Sequence, residues 1–482
     1  MSESLKQKTA KGLFWGALNS GTTQVLNLAI GICLARLLSE SDYGIVGVLT
    51  IFTAIAGDLQ SAGFTQGLIN LKNPTARDYN SVFSFNVLVS VVMYLTLFLC
   101  APLIAMFFRQ PCLTEVSRVV FLTFAIASLG IAHGGYMTKK MMNREMAIIG
   151  AVALVCSGTV GITLAFLDKG YWALAWQQIA YITVLNFGRY YYVREWRPRL
   201  TFDFGPVRQM LPFTVKILVT KIINTVSSNI LTVIFGRLFT ISQVGNYSQA
   251  YKWDTMANSL VGNTVGQIAQ AVLVEAETEE SGQQRQLRVY RKMVRFTCFL
   301  AMPLMFGLAL VSREFILVTI GMTWEGCVPL LQALCVSGAF VPIYTMYQNL
   351  AISQGRSDVY MKLNLWQIVL QIGVILCFYT YGIYVMVCAY SAFLILWLLP
   401  WHLLTGRLIG YRLMDFLRDI MPFTLAAGAV MIATHYATMM IQSLWLLLSA
   451  RVLLAAIMYY LLLKLCGAEI LKECERFVMR KL

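Results

Sequence analysis

The chain has 482 residues, of which 58% are hydrophobic and only 13% charged, with a net charge of +15 and a mean hydropathy of +0.67. This composition excludes a soluble globular domain and places the chain among polytopic membrane proteins. A span needs about 20 mostly apolar residues, so the length holds about fourteen with short connections and leaves no room for a soluble domain between them.

The basic start, MSESLKQKTAKG, leads into an apolar run that is too long for a signal-peptide core and lacks a small-residue cleavage site. Residues 12–37 therefore read as the first span. The others are predicted over 43–71, 79–108, 116–137, 147–167, 171–193, 207–236, 243–272, 290–311, 327–350, 360–380, 382–404, 418–437 and 441–465. With the N-terminus inside, the cytoplasmic segments hold about 28 of the 38 Lys and Arg, among them Lys139, Lys140, Arg194 and Arg197. This bias places both termini in the cytoplasm and removes nucleic acid as the reason for the basic charge. Arg285, Arg288, Lys292 and Arg295 recur at helical spacing before span nine. They read as a solvated helix end or as a surface gathering anionic lipid headgroups.

Two echoes reveal an internal repeat. ARLLSESDYG (35–44) matches GRLFTISQVG (236–245), with Arg36 on Arg237, Leu37 on Leu238 and Gly44 on Gly245. TKKMMNRE, ending at Glu145, matches AISQGRSD, ending at Asp358. An even number of spans preserves orientation, so the predicted architecture is an all-α polytopic membrane protein with two six-helix lobes in parallel repeat. The lobes cover 1–200 (spans one to six) and 201–405 (spans seven to twelve). Residues 406–482 add two C-terminal helices and a cytoplasmic tail. Parallel repeats of this kind are a transporter architecture, with the substrate site between the halves.

Polar residues fall unevenly on these spans. Asn19, Thr23 and Asn27 share one face of span one, and span two carries Asp58. Span seven carries Lys216, Lys221 and Asn224. Span eight carries Lys252, Asp254 and Asn263. Span eleven carries Asn364, Gln367 and Gln371. A lysine near the bilayer centre costs roughly 2.5–3.5 kcal/mol even on the mildest scale, unless it faces a wet cavity or a partner. Lys216, Lys221 and Lys252, with the amides Asn27, Asn224, Asn263 and Gln367, are therefore candidates to line a cleft for something anionic. Asp58 and Asp254 are candidates for salt bridges to those lysines or for carrying a coupling proton. For any single amide, helix–helix contact is the competing reading. Arg451, outside the repeat, reads as a structural pair or a lipid contact.

No G-x-x-x-x-G-K-[ST] is present, so no ATPase motif drives transport. The eleven cysteines are scattered singly, without metal-ligand spacing, and neither a metal nor a cofactor is expected. The connections are too short to hold the exposed acid and base groups of a membrane glycosyltransferase or polymerase.

The opening KGLFWGALNSGTTQVLNLAIGICLARLLSESDYGIVGVLTIF resembles the start of polysaccharide transporters of the Wzx type. So do DLQSAGFTQGLI, LPFTVKILVTKI, GRLFTISQVGNYSQAYKW and AISQGRSDVYMKLN, and the resemblance covers nearly the whole chain. It implies the multidrug/oligosaccharidyl-lipid/polysaccharide superfamily. It also implies an inner-membrane flippase, not an enzyme, that moves undecaprenyl-diphosphate-linked O-antigen, capsule or exopolysaccharide units across the membrane. On that reading the lysines meet the diphosphate, and Asn27, Asn263 and Gln367 meet sugar hydroxyls. A polysaccharide polymerase, a chain-length regulator and membrane lipids are the further partners. Multidrug/cation antiporters and the lipid II flippase of the same superfamily are alternatives. The antiporters commonly carry a carboxylate in span one, where this chain has only amides, and the charged pair of the lipid II flippase is absent there.

Overall fold

The computed structural model describes residues 5–61, 67–69, 71–201, 203–277 and 282–479, which form helices and no strand. Contacts divide the chain into two compact units, Met1–Gly245 and Asn246–Leu482. Helix Gly205–Leu238 thus groups by contact with the first unit, whereas the sequence repeat starts its second copy near residue 201.

The first unit contains α1 (Leu5–Leu37), α2 (Glu40–Ser61), α3 (Ala76–Phe108), α4 (Leu113–Lys139), α5 (Asn143–Phe166), α6 (Tyr171–Tyr192) and α7 (Gly205–Leu238). Next comes α8 (Ile241–Glu277), which begins in the first unit and runs into the second. The second unit continues with α9 (Gly282–Thr319), α10 (Cys327–Gly338), α11 (Val341–Ser353), α12 (Ser357–Phe378) and α13 (Ile383–Thr405). It closes with α14 (Leu413–Ala437), α15 (Leu444–Leu465) and the short α16 (Glu469–Met479).

Eleven described segments are long and apolar enough to cross a membrane. The chain is a polytopic helical membrane protein. Among the described residues α1 contributes only the shorter apolar stretch Gly21–Leu37. The expected spans six and eight are helical as α6 and α8, but they carry Gln177, Gln178, Asn186 and Arg189, and Lys252 and Asp254, respectively. On α3, Val92, Leu95, Leu99, Leu103 and Met106 recur at helical spacing and are all more than half exposed. Such a stripe would be costly in water and is the ordinary solvent face of a helix in lipid.

α2 is described to Ser61, and residues 62–66 and 70 of the expected span 43–71 lie outside the described residues. One boundary differs from expectation. The expected span 327–350 is two helices, broken between Gly338 and Val341 where Pro342 opens α11. A proline lacks the N–H for a helical bond and fits best in a first turn. Pro102, Pro303, Pro400 and Pro422, by contrast, sit inside unbroken helices.

The repeat reappears in local structure. Ser39 and Asp42 bond reciprocally at the start of α2, with Ser39 N donating to Asp42 Oδ2 at 2.9 Å and Asp42 N to Ser39 Oγ at 3.3 Å. Thr240 and Gln243 do the same at the start of α8, at 3.2 and 3.4 Å. Both are capping boxes, and they fall on matched positions of the first echo. At the second echo, α4 ends in a turn with Met141 left-handed (φ 55°), and α11 in a turn with Gly355 left-handed (φ 66°). The structural register places Gly355 opposite Met141, one residue later than the sequence echo.

Candidate functional site

The first unit carries an open cavity of about 480 Å³. Its wall comes from five helices: Thr23 and Asn27 of α1, Thr53 and Gly57 of α2, Thr123 and Phe124 of α4, Ser157 of α5, and Gln177, Gln178 and Tyr181 of α6, with apolar neighbours. Among the described residues no charged side chain lines it. Thr23 and Asn27 are one helical turn apart and face the same way, as their spacing predicts. The pair Gln177–Gln178 was not singled out from the sequence. A Gln-Gln pair next to a tyrosine one turn on, in a segment otherwise apolar enough to span, was the available signal.

The hydroxyl protons on this wall are partly committed. Thr53 donates to the Thr50 carbonyl at 2.9 Å, Thr123 to that of Val120 at 2.6 Å and Ser157 to that of Leu154 at 3.1 Å. Their oxygens keep lone pairs free to accept. Asn27, Gln177, Gln178 and Tyr181 are half-buried. Among the described residues none of these four hydrogen-bonds to another side chain or backbone group. A half-buried amide or phenol without a protein partner is available to water or to a ligand.

Ionisable groups near this cavity are engaged elsewhere. Asp58 follows the lining Gly57, and its carboxylate accepts from the Thr225 hydroxyl on α7. Asn229 in turn donates to the Thr225 carbonyl at 2.8 Å. Arg189, two turns beyond Tyr181, donates to the Gly130 carbonyl at 3.2 Å and to Asn186 Oδ1 at 3.4 Å. Asp58 thus takes a hydroxyl partner, and no ion pair joins it to Lys221 among the described residues. Lys221 is exposed on α7 and Asn224 is half-buried one turn on.

In the second unit, the half-buried Lys252 holds its ammonium 5.8 Å from the centroid of the Trp253 ring. Asp254 is buried, with Asn258 beside its carboxylate and Gly338 of α10 against it. Its Oδ1 has no hydrogen-bond partner. Two positions apart on one helix, Lys252 and Asp254 do not face each other. Gln367 is half-buried on α12, with the buried Asn364 one turn before it. The side chains of Asn19, Lys216 and Asn263 lie outside the described residues.

The second unit holds two charge clusters: the sequence did not single out Asp419 of the first, while Arg451 of the second is the structural pair it was read as. Arg291 Nε and Arg295 Nε of α9 donate to the fully buried Asp419 carboxylate of α14 at 2.8 and 2.6 Å, and the Tyr411 hydroxyl adds a bond of 2.8 Å. Lys292 and Arg295 also pair with Glu473 and Glu469 of α16 at 2.7 and 3.6 Å. The basic face before span nine is therefore neither simply solvated nor free for lipid headgroups, because part of it docks two other helices. Near the other end of α9, Glu314 pairs with Arg451.

The family described as "Polysaccharide biosynthesis protein" matches residues 33–329, more than half of the chain. The chain is 24% identical over 371 residues to the lipopolysaccharide biosynthesis protein WzxC of Escherichia coli (strain K12), a match covering 76% of this chain and 74% of that protein. It is also 24% identical over 358 residues to the succinoglycan biosynthesis transport protein ExoT of Rhizobium meliloti (strain 1021), covering 74% and 72%. In fold it is similar to the lipid II flippase MurJ in an inward closed conformation. The TM-score is 0.77, the identity 12%, and the match covers 93% of this chain and 97% of that one.

Proposed function

The chain belongs to the polysaccharide biosynthesis protein family, and on that premise we propose that it is a flippase. Its cargo is an undecaprenyl-diphosphate-linked oligosaccharide, the repeat unit of an O-antigen, capsule or exopolysaccharide. It carries that unit across the bacterial inner membrane by alternating access, with fourteen spans and both termini in the cytoplasm. The six-plus-six lobes, 1–200 and 201–405, are the moving parts in this reading, and 406–482 is an addition to them. The protein transports and catalyses no bond change. A polysaccharide polymerase and a chain-length regulator act downstream.

The cavity of the first unit carries this reading. It is a chamber with amides and hydroxyls set in a largely apolar wall, inside a bundle whose outer face is apolar, and no carboxylate lines it among the described residues. A drug cation buried there would lack the counter-charge that offsets its desolvation, which speaks against the antiporter alternative. Lys221 and Lys252, together with Lys216, supply the positive charge for the diphosphate. Their helices α7 and α8 are the repeat counterparts of α1 and α2. Asp254, with one carboxylate oxygen unengaged, is the better placed of the two aspartates for a coupling proton.

The direct test is deletion of the gene in its host, followed by leaflet-resolved assay of lipid-linked oligosaccharide. The expected result is accumulation of the units on the cytoplasmic leaflet with loss of surface polysaccharide. Normal crossing with shortened chains would replace the flippase by a polymerase. Normal crossing with lost ethidium efflux would replace it by a drug exporter.

A further inference from the structure

We propose that the cavity of the first unit is a subsite for an uncharged glycosyl residue, held by Asn27, Gln177, Gln178 and Tyr181. Its ligand in the cell follows from the flippase reading, but the chemistry of the wall stands without it.

The wall offers every element that a neutral sugar needs. A pyranose presents hydroxyls that both donate and accept around its rim, and C–H faces above and below. The amides of Asn27, Gln177 and Gln178 each supply two donors and an acceptor. The hydroxyls of Thr53, Thr123 and Ser157 have their protons on carbonyls of their own helices and are left as acceptors. The Tyr181 ring, with Phe124 on the same wall, offers a flat apolar surface with a polar tip. At about 480 Å³ the cavity lies within the roughly 300–1,000 Å³ range of small-molecule sites.

The same wall is unsuited to ions. Among the described residues a uronate or phosphate would meet no cation in this chamber, and a drug amine no anion. Removing either from water without a counter-charge is strongly unfavourable. The two nearest ionisable groups, Asp58 and Arg189, are already bonded to Thr225, Gly130 and Asn186. A site built to hydrogen-bond hydroxyls also disfavours analogues that lack them, because its amides then lose partners on the face that the ligand covers. Asn27, Gln177, Gln178 and Tyr181 are thus specificity-determining residues for the sugar, separate from the lysines assigned to the diphosphate.

The test uses the full-length protein in lipid nanodiscs and saturation-transfer NMR. The neutral probes are the methyl glycosides of glucose, galactose, mannose, rhamnose and N-acetylglucosamine. Galacturonic acid and ethidium are the charged probes. At least one neutral glycoside is expected to receive magnetisation, and the signal should fall at least five-fold in Gln177→Leu/Gln178→Leu and in Asn27→Leu. Tyr181→Phe should keep most of it and Tyr181→Ala lose it, in samples whose melting temperatures match the parent. Gln178→Glu should weaken the neutral probe and admit ethidium. The proposal is overturned if no neutral glycoside binds, if only a charged probe does, or if the cavity variants leave the signal intact. If glycosides bind at this wall while leaflet-resolved crossing of lipid-linked oligosaccharide is normal in the deletion strain, the flippase reading falls and the subsite stands. If crossing depends on the protein but no glycoside binds, the reverse holds.

Discussion

Gly44 and Gly245 occupy matched positions of the repeat, and each is pressed against the other copy's turn. A Cβ on Gly44 would stand 2.9 Å from the carbonyl carbon of Ile241, and one on Gly245 would stand 2.7 Å from that of Glu40. Glu40 and Ile241 are themselves matched positions, at the first residues of α2 and α8. Residue i of one copy therefore meets residue j of the other, and j meets i, which is the signature of a two-fold contact. The Ser242 hydroxyl donates to the Glu40 carboxylate beside it.

Gly44→Ala and Gly245→Ala should each push these turns apart, because the obstacle is backbone and cannot rotate away. Each is expected to cost about 1–3 kcal/mol, as overpacking does. The double variant should cost less than the two combined, since the first substitution already opens the contact. Thermal melting in nanodiscs measures all three. Strict additivity would mean that the two glycines do not share one contact.

Arg451 and Glu314 form an ion pair of 2.9 Å with side chains only 8% and 5% exposed. Arg451 also donates to Thr438 Oγ1 at 3.2 Å and to the Leu310 carbonyl at 3.3 Å, and its Nη2 lies 3.2 Å from His435 Nδ1. Arg451→Leu should destabilise by about 3–5 kcal/mol, chiefly because Glu314 stays buried without its partner. Adding Glu314→Gln should recover much of that. Yield and melting temperature after detergent extraction report both.

Asp419 is shared by Arg291, Arg295 and Tyr411, and its side chain is fully buried. Asp419→Ala leaves two guanidinium groups facing an empty site and should weaken the docking of α9 on α14 by about 3 kcal/mol or more. Asp419→Asn keeps the shape and should cost less. Proteolysis near residue 291, followed over time, distinguishes them: faster cutting in the alanine variant is the expected result.

Joint replacement of Lys221 and Lys252 by alanine should reduce crossing of lipid-linked oligosaccharide at least ten-fold at normal protein level. Lys252→Arg should restore most of it, since a charge is kept. Crossing at the parental rate in the double variant would remove these lysines from the transport path.

Much of the helical plan was legible in the sequence, because an apolar run of about 20 residues admits few structures in lipid. The repeat was legible as well, through the short turn 35–44 and its match at 236–245, which the capping boxes Ser39–Asp42 and Thr240–Gln243 explain physically. The break before Val341 was not, since four other prolines are tolerated within helices. For the cavity, only Thr23 and Asn27 were picked out, by their spacing on one helix. Gln177, Gln178, Thr53, Thr123 and Ser157 come from four further helices, and no linear pattern brings them together. Conspicuous charges drew the eye to α7 and α8, while the cavity of the first unit is lined, among the described residues, by uncharged side chains.

All five helices that wall this cavity lie within residues 5–192. Whatever is selected there is encoded in one contiguous stretch of chain, apart from the lysines of α7 and α8. On the proposed subsite, sugar preference would change by exchange or drift of that stretch alone, with the lysines proposed for the lipid carrier left in place. A chimera that takes residues 1–200 from a relative with another polysaccharide should inherit the donor's choice of sugar and keep the recipient's handling of the carrier.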